Sequence, residues 1–300
     1  MRIESATKPK IKILHASNLN RHRWLIHGFS TRAGGYSRAY RKGDLNLGFT
    51  KDDSHRAVEQ NRAAFLEQIG AAARAPGSRN GRRRAWQLIT LRQIHSDIIH
   101  CVEAAPDMPL VGDGMITATP GLLLAIQAAD CLPVILVDRK HRAIGVFHAG
   151  WRGTVKRIVE KGVGEMFRHF GTRARDLEAV IGPGIGGCCY QVGEEVRVKF
   201  ESQFGYAERL FLEVKDSDPV REKYPLLFLT ARAPGHGELP PKIFLDLPEA
   251  NRQQLLAAGV RAKNISGVDL CTNCHNDLLF SYRAEKGKTG RLMGVAGVRG

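Results

Sequence analysis

Runs of apolar residues predict a set of buried strands in the middle of the chain. Residues 122–128 and 134–137 are almost continuously apolar, which is typical of strands that are covered on both faces. Shorter apolar or alternating stretches predict four more strands, at 86–94, 98–102, 142–147 and 177–181. Two short strands are also predicted near the C-terminus, at 265–270 and 278–282.

Helical periodicity is clearest between residues 154 and 170. Apolar side chains recur there every three or four positions, from Val155 to Phe170, as on the buried face of an amphipathic helix. Thr154 precedes this pattern and is predicted to be the N-cap of the helix. Residues 192–204 and 249–258 are predicted to form two further helices.

The order of these elements predicts an α/β (α+β) fold without a regular βαβ rhythm, which argues against a Rossmann or barrel layout. Neither an internal repeat nor a convincing linker divides the chain. We therefore predict a single domain over residues 25–300, preceded by an N-terminal extension at 1–24. The proline-rich residues 216–241 are predicted to be an irregular excursion from that domain.

Composition and charge narrow the function classes. With 43% hydrophobic and 25% charged residues, the chain resembles an ordinary globular protein. No secretory signal and no run of roughly 18 apolar residues is visible, so we expect a cytoplasmic protein without a membrane span. The net charge of +15 favours anionic partners. The basic residues 71–85 lack interleaved aromatic residues and any nucleic-acid-binding signature, so we expect a basic surface loop and no specific nucleic-acid partner.

Three residues of metal-binding type lie where predicted strands end. His95 comes before a turn, Cys131 lies just ahead of Pro133, and His148 opens a turn that contains two glycines. Two imidazoles and one thiolate suit zinc and leave a fourth coordination position open. The residues alone are compatible both with a shared metal and with separate packed side chains.

A series of short motifs runs in order along nearly the whole chain. They include Gly28-Phe-Ser-Thr-Arg32, Gln93-Ile-His95-Ser96, Ala129-Asp-Cys131-Leu-Pro133, His148-Ala-Gly-Trp-Arg-Gly153, Tyr190-Gln-Val-Gly193 and Phe280-Ser-Tyr-Arg283. Through them the sequence resembles the YfiH-like polyphenol oxidase (laccase-domain) family. Members of that family are also described as peptidoglycan editing factors and as zinc-dependent purine nucleoside phosphorylases.

The resemblance implies a compact fold of layered mixed sheets flanked by helices, with a catalytic zinc held by His95, Cys131 and His148. It also implies phosphorolysis of adenosine, inosine, guanosine and S-methyl-5′-thioadenosine, with some adenosine deamination. The older laccase name implies copper and phenol oxidation. Three ligands are too few for a multicopper oxidase, so we rank this activity lower and regard copper as a competitor for the site. We expect a monomer.

Motif positions assign five residues to the binding of substrate and phosphate: Ser30, Arg32, Asn46, Asp113 and Arg152. The two arginines would supply charge and donors for phosphate. Asp113 and Asp130 are equally compatible with orienting the ligands or with capping turns. The glycines of residues 182–187 could offer backbone donors, although a tight turn after a strand is the favoured interpretation.

The remaining cysteines are harder to interpret. Cys271-Thr-Asn-Cys274-His275 has the spacing of a haem attachment site, but nothing else in the sequence supports haem. A second zinc there would need a fourth ligand that the sequence does not reveal, and a labile disulfide or packed thiols are alternatives. In the vicinal pair Cys188-Cys189, one cysteine fits the family pattern and we interpret the other as incidental.

Two other functions stay open. The first is an editing hydrolase for a peptidoglycan precursor, in which Cys131 is a nucleophile with a histidine base. The second is a non-catalytic basic protein, which would bind nucleic acid with a steep dependence on salt.

Overall fold

The fold, taken from a computed structural model that describes residues 11–71, 86–215 and 241–300, consists of layered sheets and helices. One six-stranded sheet has the order β1 (Ile13–Leu14), β2 (Leu25–Ser30), β16 (Leu292–Val298), β8 (Leu122–Ala128), β4 (Gln87–Arg92) and β6 (Leu110–Val111). A second has the order β15 (Ile265–Gly267), β11 (Leu177–Ile181), β9 (Leu132–Asp138), β10 (Ala143–Ala149), β7 (Gly114–Thr117) and β5 (Ile99–Cys101). A small third sheet contains β12 (Gln191–Val192), β14 (Lys242–Leu245) and β13 (Phe211–Val214).

Helices cover the outer faces of the two large sheets. They are α1 (His55–Gln68), α2 (Trp151–Val155), α3 (Ile158–Phe170), α4 (Glu194–Glu201) and α5 (Leu247–Ala257). α1 packs with the first sheet and with β3 (Ala33–Ser37), whereas α3 and α5 pack on the second sheet. Among the described residues, no helix has the length and apolar character that crossing a membrane requires.

Strand β9 explains the continuous apolar run in the sequence. Val134 and Leu136 pack toward the helices, while Ile135 and Val137 pack between the two large sheets. Successive side chains of a strand point to opposite faces, so a strand with both faces covered must be apolar throughout. The layered mixed α/β fold that the sequence predicts is therefore confirmed.

The helix predicted from Thr154 is interrupted, and the assignment of Thr154 as its N-cap is wrong. Thr154 is fully buried inside α2, and Arg157 adopts a left-handed conformation with φ of 65° before α3 begins. The side chain of Arg157 stabilises this break, because its guanidinium donates to the Glu160 carboxylate at 2.9 Å and to the carbonyl of Gln203 at 2.7 Å.

The predicted strand at 278–282 is also wrong, because this segment forms turns. The Ser281 hydroxyl and the backbone N–H of Arg283 donate to the Asp130 carboxylate, each at 2.7 Å, instead of extending a sheet. The described part of the predicted N-terminal extension, residues 11–24, packs on the first sheet, where Leu19 is fully buried. The predicted basic loop at 71–85 and the predicted proline-rich excursion at 216–241 lie, except for residues 71 and 241, outside the described residues.

Candidate metal centre

Two of the three predicted ligands lie where the chain passes from the first large sheet to the second. His95 lies between β4 of the first sheet and β5 of the second, and Cys131 lies between β8 of the first sheet and β9 of the second. His148 is in β10, directly opposite Pro133 of β9. The three residues therefore meet at one edge of the sandwich, as their places at strand ends predict.

The ligand atoms of these three residues converge. All lie within 4.8 Å of one another. Cys131 Sγ is 3.8 Å from His95 Nε2, and the two imidazole rings meet edge to face with their centroids 4.9 Å apart. His148 is buried, Cys131 is half-buried and His95 is exposed. This arrangement leaves one side of the ligand set open to a cavity.

Asp113 holds both histidines in place. Its buried carboxylate accepts hydrogen bonds from the backbone N–H groups of Ile94, His95 and Ser96 at 3.2, 3.0 and 2.6 Å. It also accepts from the Ser96 hydroxyl at 2.7 Å and bonds His148 Nδ1 at 2.8 Å. The second bond fixes the ring of His148 so that Nε2 is free to bind a metal.

The same carboxylate stabilises an unusual backbone conformation. His95 has a φ of 57°, in the left-handed region that non-glycine residues seldom adopt. Although burial alone would raise it, the pKa of Asp113 lies well below its usual range, because His148 and Ser96 donate hydrogen bonds to the carboxylate. Asp113 therefore orients the ligands. It was predicted to contact substrate, but its carboxylate oxygens are occupied by hydrogen bonds from the protein.

The electrostatics of the centre favour a thiolate. Burial on its own would raise the pKa of the Cys131 thiol, but the charge and hydrogen bonds of His148 and His95 lower it to about 6. Burial would lower the pKa of His148, yet the Cys131 thiolate and Asp113 together raise it to about 9. The thiolate is the form of cysteine that binds metals.

Gly150 provides the room in which the centre forms. A Cβ atom at this position would lie 2.8 Å from Cys131 Sγ and 3.1 Å from His95 Cδ2. We expect Gly150→Ala to weaken metal binding at least about tenfold, because two ligands must shift. Chelator competition measures the affinity. The control is Gly164→Ala in the middle of α3, where a Cβ would meet no atom within 4 Å. Equal metal affinity in both variants would contradict the expectation.

A cavity of about 700 Å³ opens above the ligands. Its charged lining includes three arginines, Arg152, Arg283 and Arg291, none of which forms an ion pair with another described residue. Tyr190 and Tyr282 also line it. Of these three arginines and two tyrosines, only Arg152 was predicted from the sequence to bind substrate or phosphate. Tyr190, Tyr282 and Arg283 belong to the family motifs but had no predicted role, and no sequence signal pointed to Arg291.

Three predicted binding residues do not line this cavity. Arg32 is buried, with its guanidinium donating to Asp44 at 2.7 Å and to Glu285 at 3.2 Å, so it has no donor to offer phosphate. Ser30 is buried and accepts from the backbone N–H of Met293. Asn46 is buried and accepts from the backbone N–H of Arg291 at 2.8 Å. Because these internal contacts occupy their polar groups away from the cavity, the three residues are not positioned to bind substrate as the sequence predicted.

Asp130, next to Cys131, holds the wall of the cavity. Besides Ser281 and Arg283, its carboxylate accepts a hydrogen bond from the Thr272 hydroxyl at 2.6 Å. Its φ of 88° is, like that of His95, positive for a non-glycine residue. Strained backbone of this kind persists where the surrounding contacts hold it. The bonds of Asp130 therefore fix the position of Cys131.

Comparison with known proteins identifies the family. A family model described as multi-copper polyphenol oxidoreductase laccase matches residues 26–299. A purine nucleoside phosphorylase of Deinococcus radiodurans is 35% identical over 297 residues, which cover 97% of this chain and 95% of that protein. A protein named adenosine deaminase RL5, from an unknown prokaryotic organism, is 35% identical over 179 residues, which cover 60% of this chain and 59% of that protein.

A solved structure is also similar to this chain. The crystal structure of the hypothetical protein YfiH from Bacillus licheniformis has a TM-score of 0.77 at 30% identity, and the match covers 98% of both chains. The chain therefore belongs to the laccase-like YfiH family.

Proposed function

We propose that the protein is a zinc-dependent purine nucleoside phosphorylase with adenosine deaminase side activity. The observation that carries this proposal is a three-donor centre with one open side, at the floor of a cavity lined by three arginines that form no ion pair with another described residue. Purine nucleosides and inorganic phosphate are its proposed substrates, with adenosine, inosine, guanosine and S-methyl-5′-thioadenosine as the nucleosides. The names of the similar phosphorylase and deaminase support it.

The donor set fits zinc. His95, Cys131 and His148 would hold the ion, since two imidazole nitrogens and one thiolate match the ligands and the open geometry of catalytic zinc sites. Bound zinc would supply a Lewis acid that polarises an oxygen in the open position. Copper shares a preference for these ligands and would compete. A multicopper oxidase needs several histidine-rich copper sites, and among the described residues only this ligand group contains histidine.

The cavity residues divide the remaining tasks. Arg152, Arg283 and Arg291 would bind phosphate, the group that replaces the purine at C1′ when the glycosidic bond breaks. The ring of Tyr282, 54% exposed, offers a face on which a purine can stack. For deamination, water replaces phosphate as the second substrate, and the products are inosine and ammonia.

A product assay tests the proposal directly. With adenosine and phosphate, the zinc-loaded protein is expected to form adenine and ribose-1-phosphate, and without phosphate it is expected to form inosine slowly. Chromatography of the bases and nucleosides separates these products. If the zinc-loaded protein forms none of them, the proposed function is wrong.

Arg152 allows a sharper test of the phosphate site. Its guanidinium lies over the ring of Trp151 at 4.3 Å from the centroid, exposed at the cavity. We expect Arg152→Ala to raise the KM for phosphate at least about tenfold, because a charge-assisted hydrogen bond contributes about 1.5–3 kcal/mol. Initial rates at varied phosphate measure this, while deamination, which uses no phosphate, should change little.

The control for Arg152 is Arg139→Ala. Arg139 is exposed in the turn after β9 and does not line the cavity. If both variants raise the KM for phosphate equally, the effect comes from overall charge, and Arg152 has no specific role.

The electrostatics of Cys131 also favour a second candidate, an editing hydrolase for peptidoglycan precursors. A thiol with a pKa of about 6 beside a histidine with a pKa of about 9 is the pairing that a cysteine nucleophile uses. Chelation separates the two candidates. Loss of activity that added zinc restores supports the metal, whereas activity that survives complete zinc removal supports the nucleophile.

A further inference from the structure

A second group of metal-binding side chains lies outside the centre described above. Cys188 and Cys189 are in the turn after the glycine-rich residues 182–187, and Cys271 and Cys274 are in a C-terminal turn. The four thiols belong to segments more than 80 residues apart in the sequence. Their sulfur atoms nevertheless lie within 4.8 Å of one another.

The spacing of the sulfur atoms matches tetrahedral coordination. Cys274 Sγ is 3.6 Å from Cys188 Sγ and 3.4 Å from Cys189 Sγ. A zinc–sulfur distance of about 2.3 Å places the sulfurs of a regular tetrahedron about 3.8 Å apart. All six cysteines of the chain are free thiols in this structure. Four thiolates with this spacing are the usual ligands of a closed structural zinc site.

Backbone N–H groups converge on one of the four sulfur atoms, that of Cys271. The N–H of Gly186 donates to Cys271 Sγ at 3.3 Å, and the N–H groups of Asn273 and Cys274 point to the same sulfur. Hydrogen bonds of this kind fix the orientation of a metal ligand and stabilise its negative charge. His275 is not part of this group of converging ligand atoms, and its Nδ1 bonds the carbonyl of Cys271 at 3.0 Å. The vicinal cysteine pair supplies the ligands that the C-x-x-C segment lacks.

We propose that Cys188, Cys189, Cys271 and Cys274 bind one structural zinc ion, separate from the ion proposed at His95, Cys131 and His148. Zinc displaces the thiol protons and joins the two turns without any change of oxidation state. The site is closed, because all four positions are taken by protein sulfur, and it has no open position for substrate.

This site would stabilise two walls of the cavity. Tyr190 directly follows Cys189, and the C-terminal turn leads to Tyr282 and Arg283. A backbone hydrogen bond from Thr272 to Gly184, at 2.9 Å, is the neighbouring link between the same two segments. The guanidinium of Arg283 donates to the carbonyl of Gln191 at 2.9 Å, which is a second hydrogen bond between these segments. The zinc would thus hold together segments that a few hydrogen bonds otherwise connect.

Metal analysis of the full-length protein and three variants tests the proposal. After purification with zinc in the medium, we expect two zinc ions per chain in the wild type. We expect one in Cys131→Ala, one in the double variant Cys271→Ser/Cys274→Ser, and two in the control Cys101→Ser. Cys101 is a half-buried thiol on β5 outside both ligand groups.

X-ray absorption on Cys131→Ala keeps the test independent of whether the double variant folds. We expect the remaining zinc to have four sulfur neighbours at about 2.3 Å. Zinc with nitrogen neighbours, iron in place of zinc, no bound zinc, or a disulfide among these cysteines would each overturn the proposal. If the centre at His95 holds no metal, the wild type contains a single all-sulfur zinc that Cys131→Ala retains. That result refutes the proposed zinc-dependent activity and leaves this inference standing.

Discussion

Replacing Cys131 with alanine is expected to reduce nucleoside phosphorolysis severely and to remove the zinc that we propose at His95, Cys131 and His148. The thiolate is the only charged ligand of the three, and its pKa of about 6 shows that its surroundings favour this charged form. We expect kcat/KM for adenosine to fall on the order of 10³-fold, the upper end of what losing one preorganised electrostatic group costs. Steady-state rates with saturating phosphate, combined with metal analysis, measure both effects.

Cys101→Ala is the matched control for Cys131→Ala. The Cys101 thiol is also partly buried, but burial raises its pKa, whereas the neighbouring histidines lower the pKa of Cys131. Cys101 belongs to neither group of converging ligand atoms. Wild-type turnover is expected for this variant. If Cys131→Ala keeps more than a tenth of wild-type turnover, the cysteine is not essential and the proposed centre is not the site of reaction.

The centre could be predicted from sequence because each ligand stands at the end of an apolar run. Strand β9 and its neighbours are almost continuously apolar, so the end of each apolar run indicates where the chain leaves the core. Cys131 and His148 lie at two of these strand ends. Ligand chemistry then limits what a thiolate and two imidazoles can do together. His95 follows the predicted strand at 86–94 in the same way, and the family resemblance added the implication that the three residues share one zinc.

Other parts of the fold depend on contacts that a local pattern does not show. Strand β16 was missed because glycines interrupt its apolar run. A Cβ at Gly294 would lie 2.6 Å from Pro133, so close packing between strands explains the glycine. Arg32 occupies a motif position, yet its partner Glu285 comes from a segment more than 250 residues away. The proximity of Cys188 and Cys189 to the C-x-x-C segment was missed for the same reason, because more than 80 residues separate the two segments.

The second large effect is expected at Asp113, where asparagine should weaken zinc binding about 10- to 100-fold. The carboxylate accepts five hydrogen bonds, three of them from backbone N–H groups at residues 94–96. An amide replaces one acceptor oxygen with a donor, which must then face Ser96 or His148, both of which donate in the native structure. The loop that carries His95 and the ring of His148 both lose their fixed positions.

Stability should fall as well, by about 1–3 kcal/mol, because buried donors are left without a partner. A matched control separates this loss from the loss of zinc affinity. Asp138, also buried, accepts from the backbone N–H groups of Lys140 and His141, from the Thr172 hydroxyl and from the His141 ring. We expect Asp138→Asn to lower the free energy of unfolding by a similar amount and to leave zinc affinity unchanged. Denaturant unfolding of the metal-free proteins and chelator competition measure the two quantities. If Asp138→Asn weakens zinc as much as Asp113→Asn does, general destabilisation explains the effect, and Asp113 has no specific part in orienting the ligands.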